Sequence, residues 1–164
     1  MEALQALAAR HSTRQFFPKP IPPETLERIL DAGRLAATAC NDQPWEFLVL
    51  TDPEKRAQLA EIVTYGRFIA TAPVCIIVVC RNSWGYLEDG SAASQNILVA
   101  AAALGVQSCW VGGDKAAYRA AAEKFLAIPE GHRIVSFLAL GYESESAPRA
   151  PKRPLAEMVH REKW

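Results

Sequence analysis

The chain has 164 residues, half of them hydrophobic, and its 18 basic and 18 acidic residues give a formal net charge of zero. This length and apolar content predict a single compact domain over residues 1–164. The neutral balance argues against nucleic acid or an anionic membrane as the main partner, because both are normally bound by a basic excess. The sequence has no apolar run of roughly 20 residues and no secretion signal at its start, so we expect a cytoplasmic protein.

The segment ARHSTRQF, residues 9–16, carries two arginines, a histidine and two hydroxyls without a carboxylate. Ser12 and Gln15 match a capping box, which would begin a helix here. Four prolines between residues 18 and 23 argue against that helix, because proline interrupts helical hydrogen bonding. The sequence therefore predicts an extended segment.

An extended segment would place Arg10, Ser12 and Arg14 on one face, because side chains alternate with a period of two. Two guanidiniums and a hydroxyl that converge in this way indicate an anion site. The alternative is that Arg10 only closes a short helix at residues 2–9, where a cation favours the exposed carbonyl groups.

Hydrophobic periodicity then predicts helices and strands in alternation. The predicted helices cover residues 23–39, 53–63, 90–105 and 115–126. The predicted strands cover residues 46–51, 74–80, 107–111 and 133–141. The second strand is apolar throughout, which indicates that both of its faces are covered. Together these elements predict an α/β layered domain with helices on a four- or five-stranded sheet.

Four cysteines form neither a C-x-x-C pair nor a zinc-ligand pattern, so we expect buried free thiols and no metal site. They are Cys40, Cys75, Cys80 and Cys109. Cys75 and Cys80 are an odd number of residues apart in one predicted strand, so they should face opposite ways. A nucleophilic role for Cys40 has little support, because no histidine is visibly placed to activate it. The sequence also lacks G-x-G-x-x-G, so a nicotinamide-binding Rossmann site has no support. It likewise lacks the P-loop, H-E-x-x-H and G-x-S-x-G motifs, which disfavours hydrolase and metalloenzyme functions.

The last predicted segment, residues 144–164, is extended in its first part because it contains three prolines. Leu155, Met158 and Val159 then form an apolar helical stripe near Trp164. This stripe must be buried somewhere. An arm docked on its own chain and an arm that reaches across to a second subunit are both consistent with the sequence.

Four separated segments together indicate one ligand site: ARHSTR, TACNDQPW, CWVGGD and APKR. The first and last offer cations at opposite ends of the chain. Gly112 and Gly113 allow a flat ligand to approach the main chain closely, since neither has a side chain. Taken alone, the Gly-Gly pair is more typical of an ordinary turn. NDQPW is likewise typical of a turn that ends a helix and places Trp45 in the core.

In this order the four segments resemble the nitroreductase family of FMN-dependent oxidoreductases, over nearly the whole chain. RHSTR is similar to the family signature R-[RH]-S-x-[RK], and TACNDQPWEFLVL to S-x-x-N-x-Q-P-W-x-F. AAALGVQSCWVGG is similar to the Ala-rich helix and Gly-Gly turn of the family, and PKRPLAEMVH to its C-terminal K/R-R-x-x-L-x-E element. The resemblance implies an α+β fold with a central mixed or antiparallel sheet flanked by helices. It also implies a homodimer that exchanges a C-terminal arm of about residues 144–164.

The resemblance further implies an FMN site and a role for each part of it. The implied cofactor-binding residues are Arg10, His11, Ser12, Arg14, Thr38, Asn41, Trp110, Val111, Gly112, Gly113, Lys152 and Arg153. The cations and the serine would hold the phosphate and ribityl chain, except that Arg14 would lie near the pyrimidine end of the flavin. A backbone N–H around Gly112 would face the reducible ring nitrogen, and Thr38 and Asn41 would come from the partner subunit.

The implied activity is ping-pong electron transfer from NAD(P)H, as co-substrate, through FMN to a small electron-poor acceptor such as a nitroaromatic or a quinone. No side chain is expected to act as the catalytic acid or base. One alternative is a flavin-binding or redox-sensing dimer with little turnover, or one served by a protein electron donor. Another is a flavin-free structural dimer held by the Ala-rich helix and the tail.

The sequence departs from the family pattern at three places. Thr38 and Ala39 stand where the family has serines, so one hydroxyl contact is lost. In YGRFIATA, residues 65–72, only Arg67 offers a polar substitute for residues that larger members use. The segment NSWGYLEDG, residues 82–90, replaces a longer lid, which predicts an open substrate channel.

Overall fold

A computed structural model describes residues 2–144 and 150–164. The helices are α1 (Ala3–Ala9), α2 (Pro23–Arg34), α3 (Pro53–Ile62), α4 (Tyr86–Ala103) and α5 (Arg119–Phe125). The strands are β1 (Phe16–Phe17), β2 (Trp45–Leu50), β3 (Val74–Arg81), β4 (Gln107–Gly112) and β5 (His132–Glu143). Short 3-10 turns cover Ala39–Asn41, Arg67–Ala70 and Leu155–Glu157.

The five strands form one sheet in which every strand pairing is antiparallel. β3 lies between β2 and β5, and β5 also pairs with β4 and, at Tyr142 and Glu143, with β1. This arrangement confirms the α+β class and the antiparallel form of the predicted central sheet. β4 and the N-terminal segment are neighbours, since Ser12 forms a parallel bridge with Ser108.

Two hydrophobic layers cover the two faces of the sheet, and the side chains of β3 alternate between them. Cys75 and Ile77 point into the layer that contains residues of α3 and α5. Ile76 and Cys80 point into the layer that contains residues of α2 and α4. The prediction that both faces of this strand are covered, and that its two cysteines face opposite ways, is confirmed.

Helix α2 ends at Arg34, five residues before its predicted end. The chain leaves the helix because Thr38 is held elsewhere. Its hydroxyl donates to Oδ2 of Asp89 in α4 at 2.7 Å and accepts from the Gln43 backbone N–H at 3.1 Å. Neither contact is visible in the local sequence, which remains rich in helix-favouring alanine up to Ala39.

Helix α4 begins at Tyr86, before the predicted start at Gly90. Gly90 is needed for helix–sheet contact instead. A Cβ atom there would lie 2.8 Å from Cys80 Sγ and 2.8 Å from Val135 Cγ2. Helix α5 begins at Arg119 rather than at residue 115, because turns closed by hydrogen bonds from Ala116 to Gly113 and from Arg119 to Ala116 come first.

The described part of the C-terminal segment, residues 150–164, is exposed throughout. Leu155 is 72% exposed and Trp164 fully so, while Met158 and Val159 are about half exposed. The described residues of this segment therefore do not form an arm docked on their own chain. The predicted arm also includes residues 145–149, which lie outside the described residues. Within the described ranges, no helix has the length and apolar character needed to cross a membrane.

Candidate functional site

The extended N-terminal segment is fixed against β4. Besides the Ser12–Ser108 bridge, the Thr13 backbone N–H donates to the Ser108 carbonyl at 3.0 Å. The next residue of β4 is Cys109, and the pKa of its thiol depends on the groups that lie near it. Burial raises the pKa of the Cys109 thiol, whereas Arg14, a hydrogen bond from Ser12, and Arg10 lower it. Arg10, Ser12 and Arg14 therefore all lie close enough to Cys109 to lower the pKa of its thiol.

The residues between them face the other way and anchor the segment. Thr13 is buried, and its hydroxyl donates to Glu143 Oε1 at 2.9 Å. Nε2 of His11 lies 3.1 Å from the same oxygen, and its Nδ1 lies 3.0 Å from the Ala9 carbonyl. The His11 ring, predicted to contact the cofactor, is therefore engaged by Glu143 at the end of β5.

A cavity of about 610 Å³ opens beside this segment. The end of β4 forms one wall, and aromatic side chains are prominent in the lining. Its lining includes Arg14, Tyr65, Phe68, Leu87, Cys109, Trp110, Val111, Gly112, Gly113, Asp114, Lys115 and Tyr118. The volume lies within the range of cofactor and small-molecule sites, about 300 to 1,000 Å³. Five residues of the predicted site meet here: Arg14 and the four residues Trp110 to Gly113.

Gly112 and Gly113 of this wall each lack a side chain for a different physical reason. A Cβ atom on Gly112 would have no neighbouring atom within 4 Å, so the backbone there borders open space. A Cβ atom on Gly113 would lie 2.7 Å from Ile134 Cγ2 and 3.0 Å from the Ile134 carbonyl oxygen. The Gly113 N–H is also occupied, since it donates to the Val135 carbonyl at 3.0 Å. Gly112 therefore permits close ligand approach, and Gly113 permits close contact with β5.

Three aromatic residues of the cavity lining, Tyr65, Phe68 and Tyr118, were not predicted from the sequence. The Arg14 guanidinium carbon lies 5.8 Å from the centre of the Phe68 ring, a cation–π distance. The Tyr118 hydroxyl donates to the Gly112 carbonyl at 2.7 Å and so braces that part of the wall. Arg67, the expected polar substitute, instead pairs with Glu61 at 3.1 Å. The sequence signal that could have identified this part of the lining is Phe68, the aromatic residue directly after Arg67.

Thr38 and Asn41 do not line the cavity of their own chain. They belong to a loop with three non-glycine residues of positive φ: 51° at Cys40, 58° at Asn41 and 46° at Gln43. Each such residue costs free energy, and clusters of them are typical of functional sites. Cys40 is also exposed, so the prediction that all four thiols are buried is wrong for this one.

Lys152 and Arg153 are exposed and lie outside the cavity lining. The Arg153 guanidinium contacts Glu157 in the same segment, with Nε 3.4 Å from Oε2 and Nη2 3.2 Å from the backbone oxygen. The exposure of both side chains is that of an arm that does not pack against its own chain. Of the four predicted cations, the cavity lining therefore holds Arg14 alone, since Arg10 lines a separate, smaller pocket with Ala9 and His11.

Comparison with known proteins gives the site its context. The sequence profile described as Nitroreductase family matches residues 7–66 and 63–142, which is most of the chain. The chain belongs to the nitroreductase family. It is 34% identical over 172 residues to a protein of Archaeoglobus fulgidus that carries the provisional name NADH dehydrogenase/NAD(P)H nitroreductase, with 99% of each chain covered.

Solved structures of the nitroreductase family are similar in fold as well. An FMN-dependent nitroreductase from Clostridium difficile R20291 superposes with a TM-score of 0.90 at 27% identity, covering 98% of this chain and 99% of that one. A nitroreductase with bound FMN from Bacteroides fragilis gives a TM-score of 0.82 at 27% identity, covering 99% and 100%. The predicted nitroreductase-like fold is confirmed.

The chemistry of the nitroreductase-family cavity fits a phosphorylated flavin in two respects. Neither Arg10 nor Arg14 forms an ion pair with a carboxylate in the ranges that the structure describes, so two cations remain for a ligand. At Gly112, the backbone lies open where a side chain would obstruct a flat ring. Residues 2–144 and 150–164 contain no cluster of metal-ligating side chains.

Proposed function

We propose that this protein is an FMN-dependent oxidoreductase that transfers electrons from NAD(P)H to an electron-poor acceptor, a nitroaromatic or a quinone, in ping-pong order. The observation that carries the proposal is the 610 Å³ cavity lined by Arg14 and by the end of β4, where the backbone of Gly112 borders open space. The names of the similar proteins, which mention NAD(P)H and FMN, support the same activity. FMN, when bound, would supply the hydride chemistry itself.

The phosphate of FMN would be held by Arg10 and Ser12, with Lys152 and Arg153 closing over it from the C-terminal arm. Each charge-assisted hydrogen bond contributes about 1.5 to 3 kcal/mol. The exposure of both arm residues in a single chain is consistent with an arm that becomes buried when a partner subunit is present.

Arg14 would face the pyrimidine end of the ring system, where negative charge grows on reduction. A guanidinium fixed there stabilises that charge more than mobile water does. The contact with Phe68 limits the movement of the Arg14 side chain. The hydrogen bond from Tyr118 likewise holds the Gly112 backbone in place. No side chain is assigned as a proton donor, and water can supply the proton.

The working unit would be a cytoplasmic homodimer. Thr38 and Asn41 lie outside their own cavity, and their strained loop is presented to solvent. A partner subunit would use this loop to complete the site, and the exposed arm would pack across the interface. The Thr38 hydroxyl, already bonded to Asp89 and Gln43, would then position the loop more than it contacts the ligand.

The test is to load the purified protein with FMN, remove free flavin by gel filtration, and measure NADH and NADPH oxidation with a nitroaromatic or a quinone. We expect a yellow protein with steady-state turnover that requires both donor and acceptor. A yellow protein without turnover would instead support the flavin-binding or redox-sensing dimer. A colourless protein would contradict both functions and favour the structural dimer.

A further inference from the structure

A second large concave surface lies away from the cavity, at the end of the sheet where β2 ends and β3 begins. This groove, of about 750 Å³, is lined by apolar side chains and by five prolines, and we call it the Arg56 groove. Phe16, Ile21, Leu26 and Val74 are among its apolar lining residues. It shares no lining residue with the cavity beside β4. Proline-rich walls are rigid, because each ring fixes its own φ angle.

One charged residue, Arg56 of α3, lines the groove. Its side chain is more than nine-tenths buried. Nη1 donates to the backbone carbonyls of Ala70 and Ala72, which ties the chain before β3 to α3. Nε is buried and makes no hydrogen bond within the described ranges. The guanidinium is therefore only partly satisfied.

The positive charge of Arg56 has no ion-pair partner among the described residues, although the Asp52 carboxylate raises the pKa of the guanidinium from a greater distance. Asp52, one helical turn earlier, uses its carboxylate to cap α3, accepting the backbone N–H groups of Glu54 and Lys55 at 2.9 and 3.0 Å. Burial lowers the pKa of the Arg56 guanidinium, yet a guanidinium remains protonated in proteins. A buried cation of this kind favours an anion as its neighbour.

We propose that the Arg56 groove binds an amphipathic carboxylate, with its apolar body against the prolines and its carboxylate on Arg56. The planar fork of a guanidinium matches a carboxylate in geometry as well as in charge. The apolar lining provides the larger part of the contact, and the single cation provides the selectivity for an anion over a neutral compound. This site is independent of the proposed oxidoreductase function, since the two surfaces share no lining residue.

Calorimetric titration of the FMN-treated full chain with hexanoate, octanoate and decanoate tests the proposal. Affinity should rise about fourfold for each added methylene, the increment expected for apolar burial. Decanol, which has the same apolar body without the charge, should bind at least about tenfold more weakly than decanoate. Equal binding of decanol and decanoate, or no binding of decanoate, would overturn the proposal.

Three variants locate the binding. Arg56→Met should weaken decanoate binding by about 10- to 100-fold, while Arg67→Met, a change at an exposed arginine paired with Glu61, should not alter it. Because Arg56→Met also removes the contacts to Ala70 and Ala72, Thr51→Trp provides a second test. Thr51 is exposed and lines the groove, so tryptophan there should fill the space and block decanoate with Arg56 intact. Unchanged affinity in Thr51→Trp, or competition between decanoate and FMN, would place the ligand elsewhere and overturn the proposal.

Discussion

Arg14 borders the cavity with its guanidinium 5.8 Å from the centre of the Phe68 ring and without a described carboxylate partner. An uncompensated charge in this position should affect the reduced state of a bound flavin more than the oxidised state. We predict that Arg14→Ala lowers the midpoint potential of bound FMN by about 30 to 60 mV, the equivalent of one lost charge-assisted contact.

Redox titration of the FMN-loaded variant measures this shift. Arg34→Ala is the matched control, because Arg34 is an exposed arginine on α2 that pairs with Asp31 and lies outside the cavity. FMN affinity should change less than the potential does in Arg14→Ala. An unchanged potential would remove the electrostatic role that we assign to Arg14.

At the scale of single elements, the same substitution can be compared at Gly112, which ends β4, and at Gly113, which directly follows it. Gly113→Ala should destabilise the protein by about 1 to 3 kcal/mol, because its Cβ would collide with the backbone of β5. Gly112→Ala should leave the free energy of unfolding within about 0.5 kcal/mol of the original. It should nevertheless weaken FMN binding by about tenfold, since the new methyl group occupies the face that the flat ring approaches.

Denaturant unfolding and FMN titration of both variants separate the two roles. If Gly112→Ala bound FMN as well as the original chain, the β4 wall would not be the flavin face. If Gly113→Ala were as stable as Gly112→Ala, the packing argument for Gly113 would be incorrect.

Periodicity predicted most elements, because the apolar stripe of α2 and the apolar runs of β3 and β5 are visible in the local sequence. It failed where long-range contacts decide. The end of α2 depends on Asp89, 51 residues beyond Thr38, and the late start of α5 depends on turns after Gly113. The alternation of Arg10, Ser12 and Arg14 could be predicted from an extended segment, but the turn of His11 toward Glu143 could not, because Glu143 is distant in sequence.

For the molecule as a whole, the described arm exposes Leu155 and Met158 to solvent. Apolar side chains at this exposure are typical of a surface that packs against a partner. We predict that Leu155→Asp with Met158→Asp weakens self-association at least about tenfold, because each change places a charge in an apolar contact. Analytical ultracentrifugation over a range of concentrations measures the effect.

Leu155→Met is the conservative control and should associate as the original chain does. FMN should dissociate from the double variant at concentrations where it becomes monomeric, because the loop with Thr38 and Asn41 would then be lost from the site. Unchanged association in the double variant would show that the arm does not bridge two subunits.

In the function that we propose, cations from both ends of the chain hold the phosphate of FMN. The most direct measurement is the affinity of the protein for FMN and for riboflavin, which lacks only the phosphate, by flavin fluorescence titration under identical conditions. Three or four charge-assisted contacts predict that FMN binds at least about a hundredfold more tightly, and that Arg10→Ala and Arg153→Ala each reduce this ratio. Equal affinity for the two flavins would contradict the account.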